Sequence, residues 1–210
     1  MNTGMRYAFG RAKAKGSRSL YELDELSGDA IDSISGFNAT VNGNVTQGAS
    51  GVFGNCYDFN GGFLDSGVDF FTSKNFSIVW NESPSQNSLN FNYHRFSYNF
   101  SGFGNQNSFF VGTNNDMNFR IGFGGVFNTT ITPLINEFNE YAIIVNNNNL
   151  NFYRNKILLE SYTINNQFNP NGSNFFIGKR EGTQPRPFIG KLDRINFFRY
   201  AITEQELNNI

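Results

Sequence analysis

The stretch that decides the fold is FIGKLDRINFFRYAITEQEL, which spans residues 188–207. It follows FFIG at residues 175–178, and a loop rich in proline and arginine separates the two segments. The last residues then change character, because Thr203 and Glu206 have the spacing of a helix capping box. We therefore predict a short helical turn at the end of the chain.

These segments resemble the closing strands of laminin-G-like, concanavalin-A-like jelly-roll domains. Such domains commonly end in a strand of the form fxiG, a strand of the form pFxGxiDdvriynrALs, and a terminal helical turn. Weaker matches to the same family follow in order at residues 38–43, 51–61, 63–67, 76–80 and 150–156. The resemblance implies a fold but no single function, because lectins, glycosidases, adhesion modules and virion proteins share this sandwich.

The remaining segments favour the same all-β class, because short strand-like runs alternate with turn-forming residues. We predict an antiparallel concanavalin-A-like jelly-roll sandwich over residues 21–210, preceded by an extended basic arm over residues 1–20. Residues 141–145 are apolar throughout, which predicts a strand inside a sheet. The apolar alternation changes parity at His94 and Arg95, which predicts a bulge or a turn there.

Three shorter segments carry weaker signals. Residues 21–26 alternate apolar and acidic side chains, which predicts an edge strand. Asn42 and Gly43 predict a turn between two short extended pieces. Asn155 stands where the family has an Asn-Gly hairpin turn, but no glycine follows it, so the turn type stays open.

The composition suits one domain with an aromatic core. The chain has 210 residues, a net charge of −1 and 25 phenylalanines. Asparagine is also frequent, which together with phenylalanine, isoleucine and tyrosine indicates AT-rich codons. Cys56 is the only cysteine, so no internal disulfide can form, and we expect a small buried side chain there. No run approaches the roughly 18 apolar residues of a membrane span, and we expect no signal peptide.

The charge is uneven along the chain. Residues 1–20 carry five basic and no acidic side chains, which indicates docking onto an acidic partner. Such an arm could be a solvated tail, contact nucleic acid, or fasten the domain to a neighbouring protein. We favour the last, because Tyr7 and Phe9 offer apolar anchors amid the charge. The predicted assembly anchor comprises Arg6, Tyr7, Phe9, Arg11, Lys13, Lys15 and Arg18.

Glycosidases of this fold need two carboxyl groups that flank the bond, about 5 Å apart when configuration is retained. Residues 22–25 (ELDE) contain three acids, but Asp24 and Glu25 are adjacent and would point to opposite faces of a strand. We interpret them as solvated. His94 is the only histidine and lies in no catalytic motif, so we expect it at the surface or half-buried. The sequence therefore predicts no catalytic set.

Metal sites are disfavoured in the same way. Zinc is excluded in practice, because the chain has one cysteine and one histidine. Calcium is conceivable at a group of oxygen-bearing residues, which we interpret instead as turn formers. That group comprises Asp58, Asn60, Asp65 and Asp69. No cofactor is predicted.

A carbohydrate site would need an exposed aromatic ring with polar side chains around it. Trp80 stands where the family has a core aromatic residue, so we expect it in the core. The loops at residues 105–107, 114–116 and 178–186 could form a binding rim, and the sequence does not choose among them.

By resemblance and context, the leading hypothesis is a non-enzymatic structural protein of a bacteriophage virion. The sandwich would be displayed as a capsid decoration, head fibre or tail fibre, with residues 1–20 holding other virion proteins in an oligomeric assembly. The alternative is a carbohydrate-binding module that recognises cell-surface glycans, and the two hypotheses are compatible. A glucan hydrolase ranks third, no membrane partner is expected, and nucleic acid is disfavoured.

Overall fold

The structure is a computed structural model that describes residues 18–71, 73–85, 93–98, 108–114, 116–123, 126–164, 168, 174–180 and 186–210. Within these residues the chain forms fifteen strands and one helix. In chain order the strands are β1 (Arg18–Tyr21), β2 (Thr40–Asn42), β3 (Val45–Ser50), β4 (Asn55–Asn60), β5 (Phe63–Asp65), β6 (Phe76–Pro84), β7 (Phe96–Tyr98), β8 (Phe109–Thr113), β9 (Phe119–Phe123), β10 (Val126–Asn128), β11 (Asn139–Asn146), β12 (Asn149–Arg154), β13 (Ile157–Thr163), β14 (Phe175–Ile177) and β15 (Ile189–Phe198). Helix α1 is Glu204–Asn208, too short to cross a membrane.

The strands form two antiparallel sheets stacked face to face, which confirms the predicted all-β sandwich. The eight-stranded sheet has the order β13-β12-β11-β6-β15-β4-β3, and β1 joins it beside β15. Strand β6 occupies one edge of β15, while β4 and β1 share the other edge in succession. The seven-stranded sheet has the order β10-β9-β8-β7-β14-β5-β2. Residues 141–145 lie in β11, between β12 and β6, as their apolar composition predicted.

Phenylalanine rings fill the space between the sheets. Phe71, which is 2% exposed, lies at their centre. Its ring centroid lies 4.7–6.0 Å from those of Phe76, Tyr98, Phe109, Phe168, Phe175 and Phe197. Most of these pairs are tilted or edge to face, the geometry that the ring quadrupole favours. The high phenylalanine content therefore supplies the core, as the composition suggested.

A second cluster lies on the outer side of the eight-stranded sheet. Helix α1 places Leu207 there, against the outward-facing Val79, Ile144 and Phe198. The predicted capping box starts this helix: Thr203 Oγ1 accepts from the backbone N–H of Glu206 at 3.1 Å. Glu206 Oε2 accepts from the N–H of Thr203 at 2.8 Å. The closing motif thus both ends the sheet and covers part of its outer face.

One ion pair lies wholly inside the sandwich. Arg95 donates from Nε to Glu82 Oε2 at 2.9 Å and from Nη2 to Glu82 Oε1 at 3.0 Å, and both side chains are fully buried. The indole N–H of Trp80 donates to the same carboxylate at 2.9 Å. The guanidinium also lies about 5 Å from the ring centres of Phe119 and Phe188. The buried charges are therefore paired, hydrogen-bonded and enclosed by aromatic rings. Trp80 is a core residue, as predicted.

The start of the domain differs from the prediction. Strand β1 begins at Arg18, so residues 18–20 lie in the sheet and not in the arm. The edge strand predicted over residues 21–26 is wrong beyond Tyr21, because Leu23 adopts a left-handed backbone (φ 60°) and enters the core. The neighbouring Asp24 then acts as a hydrogen-bond acceptor: its Oδ1 accepts from the backbone N–H of Asn55 at 2.8 Å. Residues 1–17 lie outside the described residues.

The structure answers two questions about turns that the sequence left open. Asn155 and Lys156 both have positive φ (50° and 67°), so the β12–β13 hairpin has a type I′ turn without glycine. The extended pieces around Gly43 are β2 and β3, but they belong to opposite sheets. The Asn-Gly turn therefore carries the chain across the sandwich instead of closing a hairpin.

The buried ion pair generates a stability prediction. Arg95→Met should lower the free energy of unfolding by about 3–5 kcal/mol, because it leaves the Glu82 carboxylate buried without its partner. The double variant Arg95→Met/Glu82→Leu should recover part of that loss, because it removes both charges. Urea denaturation measures both effects. Lys156→Met, at an exposed turn, is the control and should change the free energy by less than about 0.5 kcal/mol. Equal losses in the single and double variants would contradict the prediction.

Candidate functional site

The two outer faces of the sandwich are covered differently. On the eight-stranded sheet, helix α1 and the segment before it cover part of the face. On the seven-stranded sheet, a segment near β7 pairs by backbone: the N–H of His94 donates to the carbonyl of Arg186 at 3.0 Å. Pro187 forms a parallel bridge with His94, and the N–H of Phe188 donates to the carbonyl of Gly178 at 2.7 Å. This arrangement brings the side chains that flank residues 181–185 to the seven-stranded sheet.

One residue from every strand of this sheet lies in a row across its outer face. The row runs Thr40, Asp65, Phe176, Ser97, Phe110, Gly122 and Val126. Successive side chains of a strand alternate between faces, and Phe109 and Val111 belong to the core. The side chain of Phe110 therefore lies on the outer face. A Cβ at Gly122 would come within 2.0 Å of the Phe110 ring, so this glycine lets the ring lie against the sheet.

His94 lies beside Phe110 on the same face. The two rings stack at 5.0 Å, and a Cβ at Gly112 would come within 2.9 Å of His94 Cδ2. The expectation of a surface or half-buried histidine is wrong, because His94 is fully buried. Burial lowers its pKa well below the usual value, and four arginines lower it further, so the ring is neutral at pH 7. Those arginines are Arg180, Arg95, Arg186 and Arg120.

The outer face of the seven-stranded sheet also carries four half-buried cations and two half-buried rings. We define the basic face as Phe63, Arg120, Phe176, Lys179, Arg180 and Arg186. Arg120 lies directly across from Gly112, the residue under His94. Burial lowers the pKa of Arg120 and of Arg180, and the charge of Arg186 lowers that of Arg180 further. Like charges are thus held together on one face of the seven-stranded sheet.

Lys179 joins the cations to the rings. Its Nζ lies 3.5 Å from the ring centre of Phe63 and 4.2 Å from that of Phe176. The two rings meet edge to face at 6.1 Å. The backbone carbonyl of Lys179 accepts from Ser97 Oγ at 2.9 Å, which ties it to β7. A cation over a ring is attracted by the π-electrons, so the ammonium has a fixed place beside these two half-buried rings.

A buried carboxylate holds a loop at the other sheet. Asp193 Oδ2 accepts from the N–H groups of Val52 at 2.6 Å and Phe53 at 3.1 Å, between β3 and β4. Its Oδ1 is buried and has no hydrogen-bond partner. Burial raises the pKa of this carboxyl, although the two N–H groups oppose the shift. The loop presents the half-exposed ring of Phe53, with the Arg194 guanidinium 4.2 Å from its centre.

Two acids of the eight-stranded sheet flank the same residue. Glu140 and Asp193 each pair across the sheet with Asn81, so their Cα atoms are two strand spacings apart, about 10 Å. Burial raises the pKa of Glu140 as well. Asp193, however, is fully buried and bound to the loop over residues 51–54. It acts as a loop clamp.

Two of the four residues considered for metal binding act in turns, and the other two, Asp58 and Asn60, lie in β4. Asp65 Oδ1 accepts from the N–H of Gly67 at 2.9 Å, and Asp69 Oδ1 from that of Phe71 at 2.7 Å. Within the described part of the chain, no group of three or more metal-ligating side chains converges. Cys56 is buried, as predicted, and donates its S–H to the carbonyl of Ser50 at 3.2 Å. Burial raises its pKa to about 11.

The predicted anchor and rim are placed only in part. Arg18 binds its own domain: its Nε donates to Asn196 Oδ1 at 3.1 Å, and its guanidinium lies 5.0 Å from the Phe198 ring centre. The other six anchor residues lie outside the described residues. Of the three predicted rim loops, residues 178–186 contribute Lys179, Arg180 and Arg186 to the basic face. Residues 105–107 are not described, and Asn114 is a buried turn residue.

Comparisons with known proteins address the fold. The family model described as the concanavalin A-like lectin/glucanases superfamily matches residues 66–208. Domain 4 of AbnA, an extracellular arabinanase of Geobacillus stearothermophilus solved with arabinotriose, is 20% identical with a TM-score of 0.70. The alignment covers 91% of this chain and 96% of that domain. No curated protein sequence matches the chain.

Two further solved structures match parts of larger proteins. Trypanosoma rangeli sialidase, solved with sialic acid, is 12% identical with a TM-score of 0.68, over 95% of this chain and 33% of the sialidase. The binding domain of Paraclostridial Mosquitocidal Protein 1 is 21% identical with a TM-score of 0.66, over 92% of this chain and 51% of that domain. At these identities the likeness shows a shared fold.

The loop clamp generates a pH prediction. A carboxyl whose pKa is raised by folding stabilises the fold at low pH and loses that contribution as the pH rises through the folded pKa. An asparagine at this position cannot ionise, so Asp193→Asn does not lose this stability. The free energy of unfolding of the variant should therefore rise relative to that of the wild type as the pH increases from about 4 to 7. Urea denaturation along a pH series measures the difference, with Asp29→Asn at an exposed turn as the control. A difference that stays constant over this range would contradict the assignment.

Proposed function

We propose that this chain, which belongs to the concanavalin A-like lectin/glucanases superfamily, is a non-catalytic domain that binds glycans on the basic face. The observation that carries the proposal is the ammonium of Lys179 over two half-buried phenylalanine rings, with Arg120, Arg180 and Arg186 on the same face of the sheet. A sugar presents C–H groups that pack on aromatic rings and hydroxyl oxygens that accept hydrogen bonds. This face offers partners for both.

The carboxylates support binding without catalysis. Hydrolysis of a glycosidic bond needs two carboxyl groups that reach the substrate from either side. On the basic face the described carboxylate is Asp65, which accepts from Gly67 and Asn174. The acids near the chain start also hold structure: Glu25 accepts from the hydroxyl of Tyr57 at 2.9 Å. Asp65 and Glu25 are thus engaged in contacts within the fold.

The matched solved structures support the proposal by analogy of fold. They include a domain solved with arabinotriose and the binding domain of a toxin. Several structures in this group are binding domains of larger proteins, although sialidases occur among them as well. A recognition role therefore has precedents on this sandwich.

The binding proposal predicts where substitutions act. Phe176→Ala and Lys179→Gln should each weaken binding to a glycan array by about tenfold, because each removes one half of the ring and ammonium pair. Thermal melts check that the variants stay folded. Phe53→Ala is the matched control, since Phe53 also pairs an exposed ring with a cation but lies at the other sheet. Loss of binding in Phe53→Ala alone would overturn the assignment.

We also propose that the domain is displayed on a bacteriophage virion, held there by residues 1–17. The support is the basic composition of this segment and the position of the strand that follows it. That strand, β1, belongs to the eight-stranded sheet. The basic face belongs to the other sheet. A tether at one sheet would leave the ligand face at the opposite sheet turned towards solvent.

The display proposal predicts distinct outcomes for two truncations. Deleting residues 1–17 should leave the melting temperature unchanged, because β1 begins at Arg18, and should abolish incorporation into virions. Deleting residues 1–21 should also lower the melting temperature, because it removes β1 and the buried Tyr21. Mass spectrometry of purified particles measures incorporation. Full incorporation of the shorter truncation would contradict the tether.

A further inference from the structure

We infer that one side of the sandwich docks against the same virion protein that holds residues 1–17. This inference rests on the proposed display on a virion and adds a contact surface and the chemistry of the partner. The surface consists of six exposed apolar side chains, which we call the apolar flank: Leu26, Ile31, Ile34, Phe37, Val52 and Phe53.

The apolar flank concentrates exposed apolar surface in one part of the chain. Among the described residues, eleven large apolar side chains are exposed, and six of them fall within residues 26–37 and 52–53. Single exposed apolar residues are common on protein surfaces, whereas a cluster marks an interaction site. Residues 26–37 also contain only two charged side chains, and one of these, Asp32, is buried. Depletion of charge is typical of the centre of a protein interface.

Two adjacent acids connect the two segments of the flank. Asp24 Oδ1 accepts from the N–H of Asn55, the residue after the turn over residues 51–54. Glu25 Oε1 accepts from the N–H of Ile31 at 3.0 Å. The turn over residues 51–54 and the loop that contains Ile31 are therefore held to the same short stretch of chain.

The flank lies beside two edge strands. Strand β3 is at one end of the eight-stranded sheet, and β2 is at one end of the seven-stranded sheet. Leu26 lies against β3, because a Cβ at Gly48 would come within 2.7 Å of Leu26 Cδ2. Phe37 lies just before β2. Since the turn at Gly43 connects β2 directly to β3, both edges belong to the same side of the sandwich.

The loop within the flank is held in place before any partner binds. Asp32 Oδ1 accepts from the backbone N–H groups of Ile34 and Ser35, both at 3.0 Å. The same oxygen accepts from the N–H of Leu20 in β1, also at 3.0 Å. A surface that is already ordered loses little conformational entropy when it docks, so more of its apolar contact contributes to affinity.

The position of the first described residue identifies the partner. The described chain begins at Arg18, whose carbonyl accepts from Ser35 Oγ within the flank loop. Residues 1–17, which precede it, carry four basic and no acidic side chains. A protein that holds this segment through acidic groups would therefore meet the flank next to that contact. The partner that fits both is a protein surface with acidic groups beside an apolar area.

The test mixes the full-length chain with purified virions that lack it and measures incorporation by mass spectrometry. Ile34→Ser/Phe37→Ser should reduce incorporation about tenfold, because it removes two apolar side chains from the contact. Ile157→Ser/Leu158→Ser is the matched control and should incorporate as wild type does. It also replaces two exposed apolar side chains, which are 66% and 45% exposed, but they lie in β13 at the opposite edge of the eight-stranded sheet. Thermal melts check that both variants are folded.

Hydroxyl-radical footprinting provides a second measurement that needs no substitution. In wild-type chain bound to virions, the side chains of Leu26, Phe37 and Phe53 should be protected from oxidation relative to the free chain. The side chains of Ile157 and Leu158 should stay reactive in both. A flank that stays reactive on the virion would contradict the inference.

The outcomes separate this inference from the display proposal. Full incorporation of Ile34→Ser/Phe37→Ser, or an equal loss in the control, would overturn the inference and leave display standing. Absence of the wild-type chain from virions would overturn both. Self-association of the full chain in sedimentation, lost in Ile34→Ser/Phe37→Ser, would identify a second copy as the occupant and overturn the inference. Protection of the flank in the free chain that disappears when residues 1–17 are deleted would identify that segment as the occupant and overturn it as well.

Discussion

The pairing of Arg95 with Glu82 is the constraint on which the rest of this sandwich depends. Glu82 lies in β6, at the centre of the eight-stranded sheet, and Arg95 lies just before β7 in the opposite sheet. Both charges are fully buried, so each needs the other together with the hydrogen bond from Trp80. The pair fixes how the two sheets face each other. Apolar contacts between phenylalanines tolerate a shifted packing far better than a two-point hydrogen-bonded ion pair does.

The same pair shapes the outer face of the seven-stranded sheet. Arg95 and Phe96 are consecutive, yet both side chains enter the core. This irregularity leaves His94 on the outside, against Phe110 and over Gly112. The inward arginine and the outward histidine are therefore two results of one break in the strand. Because Arg95 also lowers the pKa of His94, the interior charge helps to keep the ring on the outer face neutral.

The local sequence pattern predicted many of the strands and the helix cap. Features that depend on contacts between distant residues could not be predicted from it. The closing strands were identified by family resemblance, while the interior strand at residues 141–145, the capping box at Thr203 and the parity break at His94 and Arg95 follow from the sequence pattern. The reason for the parity break could not be predicted from the sequence, because the partner of Arg95 lies in another strand. A signal was present: Glu82 continues the alternation of core residues Ile78 and Trp80, so an acid stood in phase with the core.

The candidate site was less accessible to sequence reasoning. Lys179, Arg180 and Arg186 fall in a loop that the sequence identified as a possible rim, but Arg120 is about sixty residues away and joins them only through the β8–β9 pairing. Asp193 binds a loop some 140 residues earlier, and no local pattern relates the two. The predicted start of the domain differs from the observed one for a similar reason. Residues 18–20 look like part of a basic arm until their pairing with β15 is known.

Strand β15 connects the two roles proposed for the chain. One of its edges holds β4 and then β1, so the strand that follows residues 1–17 is built into the central part of the eight-stranded sheet. Its other edge holds β6, which carries Glu82. A force applied before Arg18 would thus pass through β1 and β15 to β6, and from Glu82 through the ion pair to β7 beside the basic face. A displayed domain needs such a path, because its ligand face and its attachment pull in opposite directions. The buried pair adds a two-point polar connection between the sheets to the apolar packing of their phenylalanines.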